Sequence, residues 1–510
     1  MYQNSSLCFR LIGSALLSIF LLIGQPAVVY GQDIPGQQSI TVDEIKMALQ
    51  KTKTGLATAN RILIKHIDER GVGFELDDLI EKDLRDVGGS DELIQAIREN
   101  LCSVYTKLAD SCPKDDSKCQ FENYTKALKF HPSHVGVLID RGLSLHDSGD
   151  FDGAIRDFAR ALELDPKDAD AYGNRGNSYF QKGDSKLALV DYDRAVSLAQ
   201  KEPDNYYNRG LLHFENQEYE NAVRDYSKYL VLKPKQADGH ARRGEAYLES
   251  GRYDLAMKDF SSAIAIAQND PDLYVGRARA YSAKKQFGLA FRDFESALKL
   301  DPQNPYAFHN RGFTHFRKKE YEQAIKDYSR AIEIDPTASE RYLDRGEAYR
   351  AKKDYARALK DFDKTLELDP KKGPAYFYKA LIYSNWKDYE NAILNLSKSI
   401  ELNSADEESY YERGSIYIDI GDLQNALKDY SKVIELSPAN SGAFVNRGLI
   451  YFRMEDHQKS IADSTAAIKL DPKDPVAYSN RAAAYAAIGD TRRAEADQKK
   501  ADSLEKAKKP

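Results

Sequence analysis

Tryptophan, methionine, cysteine and histidine are scarce in this chain, which carries one Trp, four Met, four Cys and nine His in 510 residues. The thiols and imidazoles are scattered, so neither a CxxC pair nor an HExxH helix occurs, and the ligand spacing of zinc and metalloprotease sites is missing. The sequence also lacks GxxxxGK[ST] and strand-to-helix GxGxxG phosphate loops, and a GxSxG nucleophile elbow. Charge of one sign is missing as well. Lys and Arg number 74 against 80 Asp and Glu, a net charge of -6, which gives no electrostatic case for nucleic-acid binding. Long apolar runs are confined to the first 31 residues, and 30% charged residues exclude a multi-span membrane protein. Only 17 Pro interrupt the chain, which leaves most of it free to be helical.

What is present begins with that leader. Residues 1–31 hold a single charge, Arg10, then an apolar run from Leu11 to Gly24, then Pro26 and the small residues Val29 and Gly31. This order is that of a cleaved secretory signal. An uncleaved anchor is the alternative, since Leu11–Gly31 approaches spanning length. Pro26 and the lack of a flanking basic cluster favour cleavage, and residues 32–40 follow as a linker. Outside the cytosol Cys112 and Cys119, which flank a polar turn, could form a disulfide; free thiols are the other reading.

The main signal is internal repetition. Arg-Gly or a close variant recurs from Arg141-Gly142 to Arg481-Ala482 at steps of 34 residues, giving eleven units over residues 135–508. Position eight of each unit is Gly or Ala, and position twenty is Ala in ten units with Ser460 the exception. Aromatics gather at positions four, eleven and twenty-four, as in Tyr172, Tyr179 and Tyr192. Spacings of three and four put large and small residues on common helical faces, the pattern of close helix–helix packing. Pro at position thirty-two in seven units ends the second helix.

On these residues the chain resembles the tetratricopeptide repeat (TPR) family. The resemblance implies an all-α fold: a right-handed α-solenoid superhelix of tandem helix-turn-helix units. Residues 101–134 read as a degenerate unit that keeps Tyr124, Ala127 and Pro132. Residues 41–100 read as about four short helices, with Ser90 capping one that runs through Ile97, and form a small helical module or cap. The last unit, with Gln498, Asp502 and a Lys-rich end, carries the polar outer face that a terminal repeat needs.

Two departures from the family's usual pattern stand out. Position seven is basic in all eleven units and position twenty-three is Asp in ten; the exceptions, Lys379 and Asn395, fall in one unit. This coincidence predicts a structural ladder of ion pairs, such as Arg141 with Asp157, Arg175 with Asp191 and Arg311 with Asp327. An anion-binding track is the rival reading, weakened by the neutralising Asp.

The family's ligand-facing slots on the first helix imply a concave groove here. It would hold Tyr207, Phe377 and Tyr411 at position five and Phe180, Phe214, Phe316 and Phe452 at position twelve. Acids would sit at position two (Asp170, Asp204, Asp238) and position thirteen (Glu215, Glu249). Such a groove suits an extended partner segment with apolar and basic side chains; the rival reading makes these aromatics helix–helix packing.

The resulting expectation is an exported, non-catalytic scaffold for a partner protein or peptide. It needs no cofactor or metal, takes no nucleic acid, and keeps no transmembrane span once the signal is removed. The setting is a bacterial periplasm or cell surface, or secretion otherwise, because the sequon Asn395-Leu-Ser falls inside a helix. Two other roles fit the same residues: an envelope assembly or export subunit tethered through residues 41–134, and an accessory subunit of an enzyme acting on glycans or peptides.

Overall fold

The computed structural model of the protein describes residues 39–52 and 55–508, so the signal and nearly all of the linker lie outside the described residues. The described residues form 27 helices and no strand beyond a single bridge between Ile40 and Val72. The chain divides after Pro234 into two compact bodies, the second starting at Lys235.

The first body opens with helices α1 (Val42–Gln50), α2 (Leu56–Arg70), α3 (Asp78–Asp86), α4 (Asp91–Asp110) and α5 (Ser117–Phe130). Thr41 and Glu44 form a reciprocal capping box at the start of α1, and Asp77 and Ser90 cap α3 and α4. Helix α4 runs well past Ile97, because Leu101, Cys102, Tyr105 and Ala109 continue its buried face. The module and the degenerate unit therefore share one helix, whose second half pairs with α5. Ile40, placed in the linker by sequence, is instead core. It is buried, its N–H donates to the Gly71 carbonyl at 2.9 Å, and its carbonyl accepts from Gly73 at 2.9 Å. One apolar cluster runs from Ile40 through Leu84, Ile97 and Tyr105 to Leu138 and Ala171, joining the module to the first repeats. Cys112 and Cys119 are joined by a disulfide across the α4–α5 turn.

Eleven helical hairpins follow, named here by their first residue. Each has a helix A and a helix B, from Val135–Asp147 and Phe151–Leu164 in the 135 unit to Pro475–Ala487 and Thr491–Lys508 in the 475 unit. The hairpin interior explains the repeat. The position-twenty-four ring is buried over the position-eight residue. A Cβ on Gly142 would lie 2.7 Å from Phe158, and one on Gly346 would lie 2.6 Å from Phe362. Position-twenty Ala is buried in all ten units that have it, most of them completely. Within the second body helix A of the 237 unit touches helix A of the 271 unit, and such contacts continue through the 305, 339 and 373 units. The A helices thus form one closely spaced face. Helix B of the 475 unit exposes Gln498 and Asp502, so the last hairpin ends on a polar surface.

These clearances predict opposite signs for one substitution at two positions. Ala is worth about 1 kcal/mol over Gly in a helix. The Cβ of Gly244 would sit 3.3 Å from Phe260, so Gly244→Ala should leave the denaturation midpoint unchanged or raised. At Gly346 the overlap with the fully buried Phe362 cannot relax, and Gly346→Ala should cost about 1–3 kcal/mol. Urea denaturation of both variants distinguishes the two.

Candidate binding groove

Arg and Asp of the repeat meet inside each hairpin. In the 135 unit Arg141 donates to Asp157 through Nε at 2.6 Å and Nη2 at 2.7 Å. Arg175 holds Asp191 in the same way at 2.7 and 2.8 Å, and Arg311 holds Asp327 at 2.8 and 2.7 Å. Ten hairpins carry this two-pronged clamp between helices A and B. In the 373 unit Lys379 turns instead to Asp363 of the preceding hairpin, and Asn395 donates to the Asn391 carbonyl.

The third arginine nitrogen does work that the sequence pattern did not reveal. Nη1 of Arg277, Arg345 and Arg413 donates to Ser261, Ser329 and Ser397 at 3.0, 3.0 and 2.9 Å, each on helix B of the preceding hairpin. Arg209 reaches Asp193 similarly at 2.7 Å. The partner is always position twenty-five, whose small polar residues were the overlooked signal. In eight of the ten clamps the guanidinium also lies over the position-four ring, as Arg311 does over Phe308 at 5.4 Å. The hydrogen bond from Asp293 raises the Arg277 pKa against the opposing effect of burial. A raised folded-state pKa leaves the pair's contribution intact at every pH below the ordinary arginine value, so it is constant across neutral pH. With each of the ten clamp arginines neutralised by its own aspartate, the ladder presents no anion track.

The position-twelve rings of the proposed groove close their own hairpins. Phe214 packs on Tyr219, Phe316 on Tyr321 and Phe452 on His457, with centroids 5.5, 5.5 and 5.4 Å apart. Phe180 joins the cluster of Ala188, Tyr192 and Leu212. At position five, Tyr207 lies between Tyr226 and Tyr229, Phe377 lies against Tyr378, and Tyr411 meets Tyr430 edge-on. All seven are half-buried. The acids remain at the surface: Asp170 and Glu215 are exposed, Asp204 takes Lys233 at 2.8 Å, and Asp238 lies 3.6 Å from Arg242. His213 and His315 bond Glu218 and Glu320 at 2.7 Å within the hairpin turns.

A ligand-sized hollow lies on the A-helix face of the second body. It measures about 350 Å³ and runs across the 237, 271, 305 and 339 units. Its floor is tied by polar bonds: Arg279 to Glu249 at 2.7 Å, Arg317 to the Ser282 carbonyl at 2.8 Å, and His309 to Asp344 at 2.7 Å. Phe313 stands in it 45% exposed, and Tyr306, 41% exposed, lies beneath Arg279. Tyr306 occupies position two, a slot assigned above to acids, and Phe313 occupies position nine, one helical turn beyond position five; the groove aromatics expected from the sequence were those at positions five and twelve. Burial raises the pKa of the flanking Glu245 and Glu347, and of Glu412 further along. Among the described residues no cluster of potential ligands could hold a metal ion, and no helix is long and apolar enough to cross a membrane.

Models of the tetratricopeptide repeat match residues 142–183, 176–217 and 414–455, then 207–271, and residues 271–304, 373–406 and 441–474. Others match residues 305–338, 339–372 and 465–496. Together they cover well over half of the chain, which belongs to the tetratricopeptide repeat family. No curated protein matches it in sequence. Among solved structures it is similar to a tetratricopeptide repeat protein from Parabacteroides merdae (22% identity, TM-score 0.45, 49% of this chain and 98% of that one). It is also similar to YrrB, a TPR protein with an unusual peptide-binding site (26% identity, TM-score 0.32, 36% and 95%). The human IFIT1 dimer with PPP-AAAA matches a longer stretch (16% identity, TM-score 0.42, 77% and 95%).

The clamp gives a prediction about stability. Removing one member strands a partly buried charge, so Asp293→Ala should lower stability by about 3–5 kcal/mol. Replacing both members with apolar residues, Arg277→Met with Asp293→Leu, should recover most of that loss in urea denaturation. An unchanged midpoint for Asp293→Ala would refute a structural role.

Proposed function

We propose that this protein is an exported, non-catalytic scaffold whose second body holds an extended segment of a partner protein on its A-helix face. The observation that carries this reading is the hollow around Phe313: an exposed ring on a floor fixed by ion pairs, open to solvent. A rigid floor with an apolar anchor point is what an interface hot spot requires. Half-buried carboxylates at Glu245 and Glu347 add a preference for lysine or arginine beside the apolar residue. A scaffold reading also agrees with family membership.

Export rests on the leader and is supported by the Cys112–Cys119 disulfide, which belongs in an oxidising compartment. Asn395 is 8% exposed, so its sequon has no room for a glycan, which supports the bacterial periplasm or cell surface over a glycosylating route. The exported protein should therefore begin at Gln32 on N-terminal sequencing; a start at Met1 would mean a retained anchor.

Peptides selected from a displayed library on the full chain should combine an apolar anchor with Lys or Arg. Phe313→Ala should weaken them by about 2 kcal/mol, roughly thirtyfold, with little change in melting temperature. Sequences that bind Phe313→Ala equally well would refute the site. Because the groove carboxyls have raised pKa values, they become neutral at a higher pH than the ordinary glutamate value of about 4.3. Affinity for the basic peptides should fall as pH drops through that range; a dissociation constant unchanged between pH 7 and 4 would remove the carboxylates from recognition.

A further inference from the structure

The turn from helix A to helix B places position fifteen in the left-handed region. Gly fills it at Gly149, Gly183, Gly251, Gly421 and Gly489. In four consecutive hairpins of the second body it is lysine instead: Lys285, Lys319, Lys353 and Lys387, with φ between 60° and 64°. A side chain there costs roughly 1–2 kcal/mol. A cation at a helix C-terminus regains about 0.3–1 kcal/mol, less than that cost. Nor does the turn demand a cation, since Glu455 holds the same place with φ 63°.

The neighbouring charges are already engaged. Lys284 bonds Asp254 at 2.7 Å, Lys318 bonds Glu320 at 2.5 Å, and Lys352 bonds Glu322. Asp354 takes Arg357 at 2.6 Å and Asp388 takes Asn391 at 2.8 Å. The four left-handed lysines are exposed and make no ion pair or side-chain hydrogen bond among the described residues. They stand at the ends of A helices that touch their neighbours. Helices in contact lie about 8–10 Å apart, and a chain in the polyproline II conformation advances about 3.1 Å per residue with three residues per turn, so every third side chain faces the same side. One lysine therefore faces roughly every third residue of a chain laid along this edge.

At the far end of the row stands Trp386, 50% exposed, with Tyr355 and Tyr383 at 5.9 and 6.2 Å. Together with Lys352, Lys353 and Ala356 it borders an open hollow of about 510 Å³.

We propose that this edge is a second docking surface, for an extended acidic segment of a partner protein with a carboxylate at every third residue and an apolar residue against Trp386. It lies on the hairpin turns, apart from the Phe313 hollow, so it stands or falls separately from the groove.

Trp386 is the only tryptophan and reports binding directly through its fluorescence. The probe is a Trp-free peptide with four Glu at every third position and a terminal Leu, titrated into the full chain at low salt. Its affinity should fall with ionic strength, as exposed ion pairs are screened. A version with the four Glu contiguous and one with Gln for Glu should bind at least several-fold more weakly. Replacing Lys285, Lys319, Lys353 and Lys387 together by Gly should lower affinity roughly tenfold, four exposed pairs' worth, while raising the melting temperature through relief of the left-handed strain. Phe313→Ala should leave this binding unchanged. The exposed helix-B lysines Lys258, Lys299, Lys326 and Lys360, changed together to Gln, are the charge control. An equal loss in the control, equal binding of the contiguous or neutral peptide, or a sulfated glycan that binds where the peptide does not would each overturn the proposal.

Discussion

The bidentate Arg–Asp clamp between helices A and B is the constraint from which the array follows. It fixes the height of one helix against the other, because two parallel N–H donors must meet two carboxylate oxygens at 2.6–2.9 Å. In seven of the clamps the remaining guanidinium nitrogen reaches position twenty-five of the preceding unit, so one residue sets both the geometry of its own hairpin and the register to the one before. Gly or Ala at position eight makes this approach possible, since a larger residue would hold the helices apart. The 373 unit shows the constraint by its exception. Lys379 is a point charge without the planar fork that a two-pronged clamp requires; it turns to Asp363, and Asn395 bonds its own helix.

With the interior occupied in this way, function is displaced to surfaces that the repeat leaves free. The ladder charges are satisfied and the position-twelve rings are spent on closing hairpin turns. What remains variable from unit to unit is the outward set of helix A and the residues of the A–B turn. These are the places where the chain departs from its own consensus: Phe313 and Tyr306 in the 305 unit, the half-buried carboxylates of the neighbouring units, and four lysines where glycine is easier. In a repeat array the consensus encodes stacking, and recognition lies in the departures from it.

Much of this was legible from residue order. The 34-residue step located each helix A start, and the matched exceptions at Lys379 and Asn395 linked two positions sixteen residues apart before any distance was known. The groove was less legible. Slots carried over from the family named Phe214 and Phe452, whose rings face inward across a turn, and passed over Phe313, which faces out. An aromatic at helical spacing has the same appearance in sequence whether it packs or projects, because exposure depends on the neighbouring hairpin and not on its own helix. Ile40 and the length of α4 were misplaced for a related reason: their burial comes from α2 and α5, segments distant along the chain.

The sequence by itself determined the architecture: helical class, unit length, packing sizes and the charge pairing, all of which are periodic and local to one hairpin. Tertiary structure decided which of several similar side chains stay open to solvent, which serine receives the third arginine nitrogen, and that the turn lysines stand in left-handed backbone at the ends of adjacent helices. Those properties arise where one hairpin meets the next, and a surface formed between units has no pattern within either of them.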